Sequence, residues 1–163
     1  MSKFKISNTK YSLLYSFYSL PNIICPLLGG ILIDKHGPEK TLLTVTLLAV
    51  VGQSIVSMAA SNDIFVWMLL GRTIFGMGTE TLMLVQMVDI SYWFIDNEFA
   101  LALGLSQFIA NLFVNLSGLI TPKLMKEHGI AYALHTGVEV CVFGFIVALM
   151  YVFLKHLSIT FDE

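Results

Sequence analysis

Residues 41–60 read TLLTVTLLAVVGQSIVSMAA, a run without a single aspartate, glutamate, lysine or arginine. A bilayer core about 30 Å thick is crossed by about 20 apolar residues rising 1.5 Å each, so the run has the length and character of a membrane span. Backbone N–H and C=O groups find no water in lipid, and a helix is the element that satisfies them within one segment. Four more runs of this kind flank it: Tyr11 to Ile33, Ile64 to Val88, Phe99 to Thr121 and Ala131 to Leu154. The first and third of these are equally free of the four charged types. The run at 64–88 carries Arg72 and Glu80, and that at 131–154 carries His135 and Glu139. The sequence therefore predicts an all-α, polytopic membrane bundle of five transmembrane helices, with no linker long enough to divide residues 1–163 into domains.

Composition agrees. Of 163 residues, 56% are hydrophobic and 12% are charged, whereas soluble domains carry about 45–50% apolar residues, glycine included, and about 25% charged. Mean hydropathy is +0.80. A water-soluble enzyme is excluded on these grounds, and a net charge of −2 supplies no positive field for nucleic acid. No span brings together a catalytic pair or a metal-ligand cluster such as two histidines with a carboxylate, so neither enzymatic activity, a metal nor a cofactor is expected. Cys25 and Cys141 sit inside apolar runs and read as small buried side chains. Lys3, Lys5 and Lys10 precede the first run as the basic region of a secretory signal would. Its apolar stretch is longer than the usual 7 to 15 residues, however, and enters Gly29, Gly30 and Asp34 without a small-residue cleavage pattern. It is expected to stay in the membrane.

Three motifs carry a family likeness. Gly30, Asp34, Lys35 and Gly37 resemble the loop between the second and third helices of major facilitator superfamily transporters, with Pro38 and Glu39 where that family usually places bases. Arg72 followed by Gly76 and Gly78 resembles the fourth-helix pattern. Tyr92-Trp93-Phe94 and Glu98, followed by Ala102-Leu103-Gly104, resemble the turn into the fifth helix. Tyr15 to Asn22 and Gly76 to Leu82 are similar to the group called major facilitator superfamily domain-containing protein 1, the lysosomal dipeptide transporters. The likeness runs from about Tyr11 to about Leu154.

It implies two six-helix halves with a substrate between them at mid-membrane, this sequence supplying helices two to six of the first half and lacking the first helix. It further implies secondary transport of a small polar solute, dipeptide-like or amino-acid-like, by alternating access in a lysosomal or other endomembrane. The implied partners are the missing half or a second copy, and an accessory lysosomal membrane glycoprotein. A rival of another class is a non-transporting interaction or scaffold subunit derived from a transporter half, favoured by the departures at Pro38, Glu39 and Asn111 and by the absent first helix. The lysine distribution favours a cytoplasmic N-terminus; the resemblance implies a lumenal one, with residues 34–40 cytoplasmic. Residues 34–40 and 94–98 are expected on one side of the membrane and 123–129 on the other.

A charge at the bilayer centre costs about 2.5–3.5 kcal/mol on insertion scales, so Arg72 and Glu80 must face protein or water. On a helical wheel Arg72, Gly76, Thr79, Glu80, Met83 and Met87 share one face, which is expected to line a cavity. Glu80 is the candidate for a substrate ammonium and Arg72 for gating or coupling; at eight residues, roughly 12 Å along the axis, they do not pair directly. Gly30, Asp34, Lys35, Gly37, Arg72, Gly76 and Gly78 form the gating and structural motif, Gly30 allowing close helix approach. Tyr15, Tyr18 and Asn22 are expected to line the same cavity. Gln107, Asn111, Asn115 and Gly118 make an uncharged polar stripe whose candidates for substrate binding are Gln107 and Asn111, interhelical packing being the alternative. The dipeptide-transporting group is implied to carry arginine where Asn111 stands. His135 and Glu139, four apart, are expected to pair near the membrane surface.

Overall fold

The computed structural model describes residues 21–62 and 64–161. They form five helices: α1 (Pro21–His36), α2 (Pro38–Ser61), α3 (Phe65–Trp93), α4 (Asn97–His128) and α5 (Ile130–Phe161), with no strand among the described residues. Three are long and apolar enough to cross a membrane: α2, α4, and α5 over Ile130–Ser158. α3 is 29 residues long and carries Arg72, Glu80 and Asp89. The 16 residues of α1 cover the later part of the expected 11–33 span, whose earlier part, including Tyr15 and Tyr18, lies outside the described residues.

Glycines set the sharpest boundaries. α1 and α2 are separated by Gly37 alone, at φ 81°, a left-handed conformation that strains any residue with a Cβ. Its N–H donates to the Ile33 carbonyl at 2.8 Å, and its own carbonyl accepts from Thr41 Oγ1 at 2.8 Å. Pro38 then opens α2 at a position where no helical N–H is required. Gly129, at φ 92°, plays the same part between α4 and α5.

In lipid there is no hydrophobic force between helices, so small residues that let backbones approach determine which helices pack. α2 presents Val45, Ala49, Gly52 and Val56 to Gly71, Phe75 and Gly78 of α3. A Cβ added at Gly52 would stand 2.5 Å from the Phe75 nitrogen, one at Gly71 2.8 Å from Val56 Cγ2, and one at Gly78 2.8 Å from the Val45 carbonyl oxygen. These spacings leave room for hydrogen alone. α1 reaches α3 in the same way, but through Gly29, where a Cβ would lie 2.8 Å from Thr81 Cγ2; at Gly30 it would meet nothing within 4 Å. The approach expected of Gly30 is thus made by its neighbour, because one residue turns the helix by about 100° and Gly29 is the one on the α3 side.

α5 closes on α2 at two levels. Gln53 lies over Gly137, where a Cβ would stand 2.6 Å from its Nε2, and Ser57 Oγ is 3.1 Å from His135 Nδ1. His135 therefore engages α2, and forms no ion pair with Glu139 among the described residues. α4 stands apart with no buried residue. A Gln86 Nε2 to Ser106 Oγ hydrogen bond ties it to α3, and it packs lightly on α5.

The packing yields a contrast between two glycines. Gly52→Val is expected to lower stability by about 1–3 kcal/mol or more through overpacking against α3, while Gly30→Ala is neutral or slightly stabilising, as alanine is at a helix position where its Cβ meets nothing within 4 Å. Unfolding midpoints in detergent micelles compare the two; equal tolerance at both positions would contradict the α2–α3 interface.

Candidate functional site

α3 divides its surface between two tasks. Gly71, Gly78, Thr81, Val85 and Asp89 are buried. Arg72, Thr79 and Glu80 are half-buried and Met83 and Met87 exposed. Neither Arg72 nor Glu80 belongs to an ion pair among the described residues. Thr79 is spent on its own helix, its hydroxyl donating to the Phe75 carbonyl at 3.1 Å. Gly76 is buried between the two charges.

The other predicted residues are dispersed. Asn22 lies in the first turn of α1. Asp34 and Lys35 are exposed in its last turn, next to the Gly37 bend. On α4, Gln107 is half-buried and Asn111 exposed, and Asn115 Nδ2 donates at 2.8 Å to the Asn111 carbonyl of the same helix. The polar stripe on α4 thus makes no interhelical hydrogen bond through Gln107, Asn111 or Asn115 among the described residues. No contact joins Asn111 to Glu80; the polar link between their helices is Gln86–Ser106.

A cluster that sequence reasoning did not single out lies at the end of the bundle that holds Gly37. Lys155 of α5 donates to Asp89 Oδ1 of α3 at 3.1 Å and to Glu39 Oε1 of α2 at 3.2 Å, with side-chain exposures of 13%, 11% and 33% in the order Lys155, Asp89, Glu39. Its ammonium also stands 5.7 Å from the Tyr92 ring centroid and 5.9 Å from that of Tyr151, within cation–π range. Trp93 Nε1 donates to the Tyr151 hydroxyl at 3.3 Å. Pro38, Glu39, Tyr92, Trp93 and Lys155 line a cleft of about 340 Å³ there. A signal for it existed: Asp89 and Lys155 are each the first charge beyond an apolar run, and alternating helices bring both to the side of Glu39. Glu39, read from sequence as the loss of a base, is in the structure an acid that holds Lys155.

Comparison with known proteins bears on the frame in which these residues sit. The sequence model of the Major Facilitator Superfamily matches residues 1–160. The chain belongs to this superfamily. As a member it is a multi-pass membrane protein, and its helices α1 to α5 follow the order of the motifs that resemble the family's second to fifth helices. It is similar to the lysosomal dipeptide transporter MFSD1 of Mus musculus, with 32% identity over 93% of the chain and 35% of that protein. The Bos taurus protein of the same name is 30% identical over 86% of the chain and 31% of its own length. A probable sulfoacetate transporter, SauU of Cupriavidus necator, is 28% identical over 74% of the chain and 26% of its length. The superfamily member described here therefore spans about a third of the MFSD1 proteins it matches.

Lys155→Met should strand the buried Asp89 carboxylate and cost about 3–5 kcal/mol, as when one partner of a buried pair is removed. Adding Asp89→Asn should recover part of that loss, while Glu39→Gln alone, at the more exposed arm, should cost no more than about 1 kcal/mol. Unfolding midpoints of the three variants check the order; a Lys155→Met protein as stable as the parent would show that the bridge does not hold the three helices together.

Proposed function

We propose that the chain forms helices two to six of one half of a secondary transporter, which moves a small polar solute of the amino-acid or dipeptide kind by alternating access. Further helices, in a longer protein or a second polypeptide, complete it. The observation that carries this reading is the pair of unmatched charges on α3. Arg72 and Glu80 are half-buried within a membrane segment and lack an ion-pair partner among the described residues. Such residues in transporters face a water-filled path or a substrate. Binding at mid-membrane between two bundles is the architecture that alternating access requires. The names of the MFSD1 relatives support a dipeptide as the solute and the lysosomal membrane as the location. Partners proposed on the same footing are the complementary half or a second copy, and an accessory lysosomal membrane glycoprotein.

Glu80 is proposed to take the solute's ammonium, with Tyr15, Tyr18, Asn22, Gln107 and Asn111 lining the path. Gly30, Asp34, Lys35, Gly37, Gly76 and Gly78 shape the motif about which the bundle moves. The rival scaffold reading draws on Pro38, Glu39 and Asn111; with Glu39 held by Lys155, that one departure is an exchange of partners, while Pro38 and Asn111 still favour the scaffold.

Removing the Glu80 charge by Glu80→Gln should cost one charge-assisted hydrogen bond, about 1.5–3 kcal/mol, or about 10-fold to 150-fold in affinity for alanylalanine. Asn111→Arg should raise affinity for solutes with a free carboxylate. Titration of the transporter completed by its further helices, in lipid nanodiscs, measures both. An unaltered affinity in a folded Glu80→Gln protein would remove Glu80 from the site and put the scaffold reading ahead.

A further inference from the structure

We infer that the cleft beside Lys155 is a seat for a quaternary ammonium, and that its occupant is the choline head of a phospholipid at the bilayer edge. The inference is independent of the transporter reading, since it uses none of the residues proposed to meet the solute. Two carboxylates, Asp89 and Glu39, face the one ammonium of Lys155, so the cluster keeps one negative charge in excess. That excess lies on its open side. Glu39 gives Oε1 to Lys155, its Oε2 has no partner among the described residues, and its side chain is 33% exposed against 11% for Asp89. A second cation entering the cleft is drawn to Glu39.

The rings beside Glu39 select the kind of cation. Tyr92 and Trp93 line the same cleft and are 68% and 57% exposed. Trp93 spends its indole N–H on the Tyr151 hydroxyl at 3.3 Å; an N–H lies in the ring plane, so the bond steadies the indole and leaves its faces open. A primary ammonium brings three N–H donors, and Glu39, the carboxylate that lines the cleft, already shares one oxygen with Lys155. A calcium ion would need about six or more oxygens. Trimethylammonium donates no hydrogen bond, and its methyl groups rest on aromatic faces. Size agrees, because the cleft measures about 340 Å³, whereas one water occupies about 30 Å³.

Position says where that group comes from. The cleft opens where α2 begins and α3 ends, near the end of α5, at the level of a bilayer where aromatic rings gather beside lipid head groups. On α5, Met150 and Leu154 precede Tyr151 and Lys155 by one residue each and are both 60% exposed. They offer acyl chains an apolar flank leading from the cleft toward the middle of the membrane. A free cation in water has no use for that flank.

The test reads which lipid stands beside Trp93. The two tryptophans, Trp67 and Trp93, lie near opposite ends of α3, so Trp67→Phe leaves Trp93 as the reporter and Trp93→Phe leaves Trp67 as the control. The full chain is reconstituted in vesicles of phosphatidylcholine, phosphatidylethanolamine and phosphatidylglycerol, with one class at a time carrying bromine high on its acyl chains to quench tryptophan emission. Phosphatidylcholine is expected to occupy the place beside Trp93 about 2-fold to 5-fold more than either other class, and Trp67 to show no preference. Tyr92→Leu, which leaves the Lys155 clamp in place, and Glu39→Gln should each bring the ratio close to 1; Tyr92→Leu decides the matter if Glu39→Gln does not fold. Equal quenching of Trp93 by the three classes, a preference for either of the others, the same preference at Trp67, or a phosphatidylcholine preference that survives either substitution would overturn the proposal. So would a change in Trp93 emission on adding choline chloride to vesicles without phosphatidylcholine, which would give the cleft to a soluble cation.

Discussion

A charge within a bilayer or at its edge must meet an opposite charge or water, and most of what is distinctive in this chain follows from how it obeys that rule in two ways. Where α2, α3 and α5 meet beside Gly37, Glu39, Asp89 and Lys155 neutralise one another and fasten three helices at a single point. Along the flank of α3 the opposite arrangement holds, with Arg72 and Glu80 kept apart on one helix. A structural charge is closed upon its partners. We propose that the unmatched pair is closed by a solute that comes and goes. Both arrangements occur on α3, the wall shared by the clamp and the site proposed for the solute.

The glycine contacts explain how α3 carries both tasks. With Gly71 and Gly78 against Val45, Gly52 and Val56, α3 lies nearly backbone to backbone with α2. α1 arrives from another side through Gly29 on Thr81. These approaches fix the rotation of α3 about its own axis, and that rotation turns Arg72 and Glu80 away from α2. α5 is pinned to α2 at both ends, by Lys155–Glu39 at one and His135–Ser57 at the other, and to α3 through Lys155–Asp89. α4, with no buried residue, is the helix whose apolar and polar surfaces most need a partner beyond the described residues.

Fold class was legible in the sequence because hydrophobic length is an almost sufficient signal in lipid, and the Gly37 bend was legible because a one-residue turn at positive φ admits little else. What escaped was set by rotation and by contacts remote in sequence. Gly29 and Gly30 are equivalent on paper; only the azimuth of α1 against α3 shows which one packs. His135 was paired by spacing with Glu139, but a serine on another helix, 78 positions away, took it. Glu39 was judged against a motif that wants a base there, and its partner Lys155 lay at the far end of the chain. On α3 the helical wheel sufficed to group Arg72 with Glu80, since both lie on a single regular helix. On α4 the same device grouped Gln107 with Asn111, yet nothing in periodicity says how close that stripe lies to α3.

The central claim is that the Arg72–Glu80 flank of α3 borders water inside the membrane while the outer face of α5 borders lipid. Met83 and Phe143 are both exposed on the protein, 53% and 68% respectively, so geometry alone does not distinguish them. With Cys25 and Cys141 replaced by serine, single cysteines at Met83→Cys and Phe143→Cys are to be treated with a charged, membrane-impermeant thiol reagent in intact vesicles. The account predicts that Met83→Cys reacts and that Phe143→Cys does not. Equal reactivity at the two positions, or labelling of Phe143→Cys alone, would contradict it.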